Sequence, residues 1–278
     1  MTETVADLIE ARFGLPETAG RDRPATGTAA EILRHRTHRR FTDAPVDREL
    51  MDILFACAFS APTKSDLQQA SVVRVKDPAK RRAIAELIPD MPWIGTAPEF
   101  MVFCGDGRRL RRICEMRGHG FANDSLDFFL NCATDAALVM QNFIVAAEAE
   151  GLGCCAISVL RDHVRAVGDL LGLPPGVFPY AGLCVGWPAR EGFVSLRLPP
   201  AVTVHTDAYD DKDLAEQVDA YDRRRDARYA IPAAGHKYVA DYGRPDFYGW
   251  SEDKARQMSK PERMDVGPYV RDQGFALD

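Results

Sequence analysis

Between Asn123 and Glu150 the apolar residues Leu126, Phe129, Leu130, Ala133, Ala137, Met140, Phe143 and Ile144 recur at three- and four-residue intervals. The spacing predicts one long helix, ended by Gly151 and Gly153. A helix of that length in a compact domain is a central one, and the segments around it must supply the surface it buries. SVVRV (71–75), EFMVFCGD (99–106), GCCAIS (153–158) and YAGLCVGWP (180–188) read as strands. Helical patterns lie between them. Asp47 caps a run carrying Leu50, Ile53, Leu54, Cys57 and Ala58 on one face, Asp77-Pro78 opens another, and RDHVRAVGDLLGLP (161–174) is a third. Strands separated by helices predict an α+β fold, a sheet layered between helices.

The ends differ in character. A short N-terminal helix is followed by GLPETAGRDRPATGT (14–28), a linker by its Gly, Pro and Thr content, and the next helix runs toward Arg36. Beyond Pro200, residues 207–229 are strongly charged and helical in pattern, and 230–249 form a long irregular segment of the kind that is functional or wraps a partner subunit. Three regions follow: an extension (1–29), a core (30–200) and a C-terminal region (201–278).

A net charge of −6 argues against wholesale nucleic-acid binding, so clustered arginines must serve a local purpose. No apolar run approaches the ~18 residues of a membrane span. MTETVADLIEAR lacks the order of a signal peptide. Seven cysteines, an odd number without zinc-like CxxC spacing, point to a reduced cytoplasmic protein, and six scattered histidines predict no metal site. Cys154-Cys155 reads as buried packing.

Two polar stretches stand out. RHRTHRR (34–40) puts four arginines and two histidines into seven positions. Such a cluster suits a phosphate, whose oxygens accept the guanidinium fork, but equally a solvated patch or ion-pair partners for Asp43, Asp47 and Glu49. SAPTKSDLQQ (60–69) leaves a helix end rich in hydroxyl, amide and charge. GxGxxG, GxxxxGK[ST], GxSxG and HExxH are all missing, so a phosphate here is not held in a Rossmann or P-loop cradle.

HRTHRRF followed by APVDREL, then SAPTKSDLQQ, resembles the start of the nitroreductase family of FMN enzymes. NCATDAALVMQNFIVAAEAEGLGCC, LLGLPPGVFPYAGLCVGWPA, LRLPPAVTVH, WSEDKARQM and RDQGFALD resemble its NADPH-preferring nitroreductase and flavin reductase group. The likeness spans roughly residues 30–278. It implies a nitroreductase-like fold with a central mixed sheet, an intertwined homodimer, and FMN at each interface. By the same likeness His35, Arg36 and Thr37 address the phosphate and ribityl end, and Arg39 the N1–O2 edge of the ring. Pro62, Thr63, Lys64, Ser65 and Gln68 contact flavin from the facing chain. Ala156, Ile157, Ser158 and Val159 lie near N5, and Arg197 is a second phosphate ligand. The implied chemistry is hydride transfer from NAD(P)H through flavin N5 to a small flat aromatic acceptor (nitroaromatic, quinone or free flavin), with no catalytic side chain.

The chain departs from the family where Ser158 and Val159 replace glycines, where Ser195 replaces a lysine, and over 230–249, which leaves Arg225, Lys237 and Arg244 as substitutes for a basic nicotinamide loop. Two other readings stay open on the residues: a flavoenzyme with a narrow substrate, and a non-catalytic binder of a phosphate ligand.

Overall fold

In the computed structural model, which describes residues 2–278, Thr4 opens the first helix, α1 (Val5–Phe13), with a reciprocal cap. Asp7 N donates to Thr4 Oγ1 at 3.3 Å and Thr4 N to Asp7 Oδ2 at 2.7 Å. Gly14, at φ +68°, ends the helix in the left-handed conformation. Helix α2 (Gly27–Arg34) follows, and Leu8, Ala25 and Ala30 bury one another with Leu33 beside them. Residues 14–28 are more than a linker: Val5 N donates to Arg23 O at 2.9 Å and Ala25 N to Glu3 O at 3.0 Å.

The stretch up to Arg34 belongs with Val194–Glu262 to one unit, and His35–Phe193 with Arg263–Asp278 forms a second. In the first unit the charged helix begins later than its composition suggests, at Leu214, and runs to Tyr229. Segment 230–249 is irregular but anchored. Lys237 N donates to Tyr248 Oη at 2.9 Å, and Arg256 of the helix Trp250–Met258 donates to Lys237 O and Gly243 O, each at 2.9 Å.

The second unit is built on four strands, β1 (Ala70–Arg74), β2 (Glu99–Asp106), β3 (Gly153–Ile157) and β4 (Val177–Gly186), in the order β1-β2-β4-β3. The helices α3 (Arg48–Phe59), α4 (Pro78–Leu87), α5 (Trp93–Thr96), α6 (Arg108–Met116), α7 (Leu126–Ala149) and α8 (Val164–Leu171) complete it with the C-terminal segment. Every residue of β2 is buried, and its side chains alternate. Met101 and Phe103 meet Met51 and Leu54 of α3 and Val139 and Phe143 of α7. Phe100, Val102 and Cys104 meet Ile84 of α4, Ile94 of α5 and Val167 of α8. The layered sheet between helices is thus realised as an α+β arrangement.

Several details differ from expectation. The sheet, expected to be mixed, pairs its four strands antiparallel throughout, and the parallel element is a single bridge from Thr37 to Cys154. Helix α7 buries Phe128, Cys132, Asp135, Ala136 and Val139, whereas Leu126 and Leu130 are 43% and 51% exposed. On α3, Ile53 and Cys57 likewise face outward while Met51 turns in. Both helices carry apolar residues on more than one side, so periodicity alone does not choose the face that meets the sheet. By length and mean hydropathy α7 is long and apolar enough to cross a membrane, although polar residues interrupt its apolar runs. In the fold, its Phe128–Ala147 face is a core surface.

Candidate functional site

The basic segment lies along the outer edge of β3. His38 N donates to Cys154 O at 2.9 Å, the next backbone contacts are Thr42 N to Trp187 O at 2.8 Å and Ala189 N to Arg40 O at 3.0 Å, and Phe41 bridges Pro188. A bare Gly153 permits this approach, because a Cβ there would lie 2.7 Å from His38 Cβ. With the backbone docked, the side chains have separate environments. His35 Nδ1 lies 2.9 Å from both carboxylate oxygens of Glu148, at the end of α7, which orients the ring. Arg36 pairs with exposed Glu191 at 3.3 Å. His38 is buried, and its pKa is lowered chiefly by that burial and then by the Arg36 charge.

Arg39 is exposed, and its guanidinium carbon stands 5.7 Å from the centroid of Trp93. Among the described residues, neither Arg39 nor Arg40 has a carboxylate partner. Together with Thr37, Phe41, Trp93, Arg190 and Phe193 they line a cavity of about 840 Å³. Beneath it, burial pushes the Cys155 thiol up, while Arg39 and Trp93 pull in the opposite direction. At the end of β3, Ala156 and Ser158 are exposed, Ile157 is 1% exposed, and Val159 packs against the α4–α5–α8 side of the core.

The 60–69 loop occupies a different part of the same unit. Thr63 Oγ1 donates to Asp135 Oδ2 at 2.5 Å and accepts from Gln68 N at 2.9 Å, and Gln69 N donates to the same Asp135 oxygen at 2.8 Å. Arg109 of α6 holds the other side, donating to Gln68 O and, at 3.1 Å, to Ala70 O. Between these anchors Ser65, Asp66 and Gln68 adopt positive φ of 50°, 58° and 52°, which costs non-glycine residues ~1–2 kcal/mol each. Lys64 reaches Asp127 at 3.8 Å. Pro62, Thr63, Gln68, Asp135 and fully buried Gln69 line a second cavity of about 290 Å³. Gln69 Oε1 and Nε2 and Asp135 Oδ1 are buried there without hydrogen-bond partners among the described residues.

Thus His35, Arg36, Thr37 and Arg39 are gathered beside the β3 strand that leads into 156–159, while the loop residues line another cavity. Arg197 belongs to the first unit, donates from Nη1 to Ser195 Oγ at 2.5 Å, and shares a cavity of about 470 Å³ with Arg225. Of the suggested substitute cations, Lys237 is committed to Asp253 at 2.6 Å, and Arg244 is exposed. Asp135, Glu148, Arg109 and Trp93 were not foreseen. Asp135 left one signal, a carboxylate on the apolar face of a core helix, where burial demands donors.

The chain matches the "Nitroreductase family" model over residues 32–187 and the "Nitroreductase family, C-terminal domain" model over residues 195–278. It is 32% identical to an FMN reductase (NADPH) of Bacillus subtilis, an alignment covering 89% of this chain and 98% of that protein. It is 35% identical to an oxygen-insensitive NADPH nitroreductase of Salmonella typhimurium, over 87% of this chain and 95% of the relative. The solved NADPH:FMN oxidoreductase from Vibrio harveyi complexed with NAD+ superposes with a TM-score of 0.79 at 30% identity, covering 90% of this chain and 99% of that one.

Proposed function

The chain belongs to the nitroreductase family, and from that premise we propose that it binds FMN and catalyses the NAD(P)H-dependent reduction of a small flat aromatic acceptor. The observation that carries the reading is the cavity on the β3 edge, where cations without carboxylate partners stand beside flat apolar walls. At about 840 Å³ it has the size of a cofactor site. Its donor set also fits: guanidinium groups suit a phosphate and an electron-rich ring edge, and Trp93, Phe41 and Phe193 suit a stacked aromatic system.

FMN, when bound, supplies the redox chemistry, accepting hydride from a reduced nicotinamide and donating it to the acceptor. The protein supplies position and charge. Arg39 makes no ion pair among the described residues, since Glu191 on the same wall is paired with Arg36, and its charge faces negative charge that builds up in the cavity. The Thr37 backbone is fixed by its bridge to Cys154, and its hydroxyl is one of the donors on the cavity wall. Glu148 sets the orientation of the His35 ring. The wall residues exclude water from one face of whatever stacks there.

The reading includes a homodimer. Ile53 and Phe59 of α3 and Leu126 and Leu130 of α7 are large, apolar and between 43% and 51% exposed, a surface suited to a second copy. In such a pair the 60–69 loop would line the flavin held by the facing chain. All seven cysteines carry free thiols, which fits a reducing cytoplasm.

The test is the absorbance spectrum of the purified protein, followed by anaerobic addition of NADPH and then NADH. Oxidised-flavin bands that bleach with a nicotinamide support the reading and rank the donors. A colourless protein that takes up no FMN sinks it.

A further inference from the structure

The relatives align along almost their whole length yet leave about a tenth of this chain unmatched, and the two family models match residues 32–187 and 195–278, so neither reaches the first 31. The unmatched part is therefore the N-terminal extension. It is built into the first unit by several contacts, among them Arg228 Nη1 donating to Ala11 O at 2.9 Å, and the one that reaches residues 195–197 from a buried side chain is Arg12. Arg12, in the last turn of α1, is only 6% exposed. Its Nη1 donates to Ser195 O at 3.0 Å, while Nε and Nη2 donate to Leu33 O at 3.2 and 2.7 Å. Its own carbonyl accepts from Arg197 N at 2.9 Å. Between these two anchors, Leu196 packs on the end of the helix, where a Cβ at Gly14 would lie 3.2 Å from Leu196 Cδ1. From the opposite side Tyr221 Oη donates to Leu196 O at 3.1 Å. Three successive residues, Ser195, Leu196 and Arg197, are thereby held in place.

Those residues form a wall of the cavity of about 470 Å³. Exposed Arg197 and half-buried Arg225 line it, and neither has a carboxylate partner among the described residues. Lys254, also at the wall, is already paired with Asp253 at 2.9 Å. Two uncompensated guanidinium groups with the Ser195 and Thr203 hydroxyls nearby make a donor set for phosphate oxygens.

We propose that the N-terminal extension is a positioning element for this cavity, and that Arg12 holds the Ser195–Arg197 wall so that Arg197 is aimed at a phosphate group. A guanidinium on a loosely held segment would have to be ordered at each binding event, whereas one fixed by its backbone from behind is preorganised. The inference rests on the flavin and nicotinamide reading above, which supplies two sources of that phosphate, FMN and the nicotinamide nucleotide.

The experiment compares full-length wild type, Arg12→Ala and Arg12→Lys. Apoprotein is titrated with FMN and with riboflavin, which lacks the phosphate, and KM is measured for NADPH and NADH. Arg12→Ala is expected to weaken FMN about tenfold with riboflavin unchanged, or to raise KM for NADPH about tenfold relative to NADH. The first result identifies the flavin phosphate and the second the nucleotide phosphate. Arg12→Lys, which keeps the charge without the fork, should move the same ratio by less, and it decides the matter if the alanine variant does not fold. Flavin affinities that fall equally for FMN and riboflavin, with no change between NADPH and NADH, would reduce Arg12 to general support and overturn the inference. A wild type that takes up no flavin overturns the underlying reading as well, and that result is visible before any variant is made.

Discussion

Thr63 and Asp135, 72 positions apart, share a 2.5 Å hydrogen bond, and the same carboxylate oxygen takes the backbone N–H of Gln69. One buried side chain on α7 thus pins both ends of a loop that contains three non-glycine residues at positive φ. Asp135→Ala strands a hydroxyl and an amide in a buried place and should cost about 3 kcal/mol in urea unfolding. Thr63→Val removes one hydroxyl and should cost about 1 kcal/mol. Equal losses for the two variants would show that the carboxylate does not serve both ends.

Arg39 is exposed and makes no ion pair among the described residues, so its removal should leave stability almost untouched. Arg39→Ala is expected to lower kcat/KM about 100-fold with reconstituted FMN while the melting temperature stays within the scatter of measurement. Arg39→Lys should recover part of the activity, since the charge remains but the fork is lost. Wild-type kinetics in the alanine variant would remove Arg39 from the site.

His38 makes a prediction about acid stability. Burial, then the Arg36 charge, lower its pKa in the folded protein below the ordinary 6.5. The unfolded chain therefore binds the proton more readily, and stability rises with pH across that interval. The contribution is present above 6.5 and is lost as pH falls toward the folded value. Urea midpoints taken at pH 7.5 and 5.5 should differ more for wild type than for His38→Gln. An identical pH dependence in both proteins would contradict the assignment.

The close approach of His38 to β3 depends on Gly153. An added Cβ would meet His38 Cβ and Cγ at 2.7 Å, and these atoms are too near the backbone to swing away. Gly153→Ala should therefore push the 35–39 segment off the strand edge and cost about 2 kcal/mol. Weaker FMN retention should accompany the loss of stability, and a variant with both properties intact would show that the segment is not held this way.

Thiol titration tests the placement of the cysteines. Burial raises the thiols of Cys104 and Cys132 to about 12 and pushes those of Cys154, Cys155 and Cys184 up as well. Cys57 is exposed and Cys114 half-buried. Native protein at pH 8 should lose no more than those two to a thiol reagent, and all seven in denaturant. Rapid reaction of a third thiol in native protein would mean that the core opens readily.

What could be read along the chain was whatever local chemistry decides. Asp47 and Asp77 cap their helices as their neighbours require, with Asp47 Oδ1 accepting Glu49 N and Asp77 Oδ1 accepting Ala79 N, each at 2.8 Å. The apolar run Phe100–Cys104 lies in one buried strand from Glu99 to Asp106, and the basic stretch at 34–40 stands out against an acidic composition. Family likeness extended this to the fold, because the motifs stand in the right order along the chain. Tertiary structure decided everything that depends on residues far apart in sequence. It turned Val139 rather than Leu130 toward the sheet, since α7 is apolar on more than one side and only the packing of β2 and α3 distinguishes them. It spent Thr63 on Asp135, Lys237 on Asp253 and Arg12 on Ser195 and Leu33, commitments between positions that no periodicity links. A residue's type states which bonds it can make, but burial, by excluding water as the alternative partner, determines which of those bonds it must make.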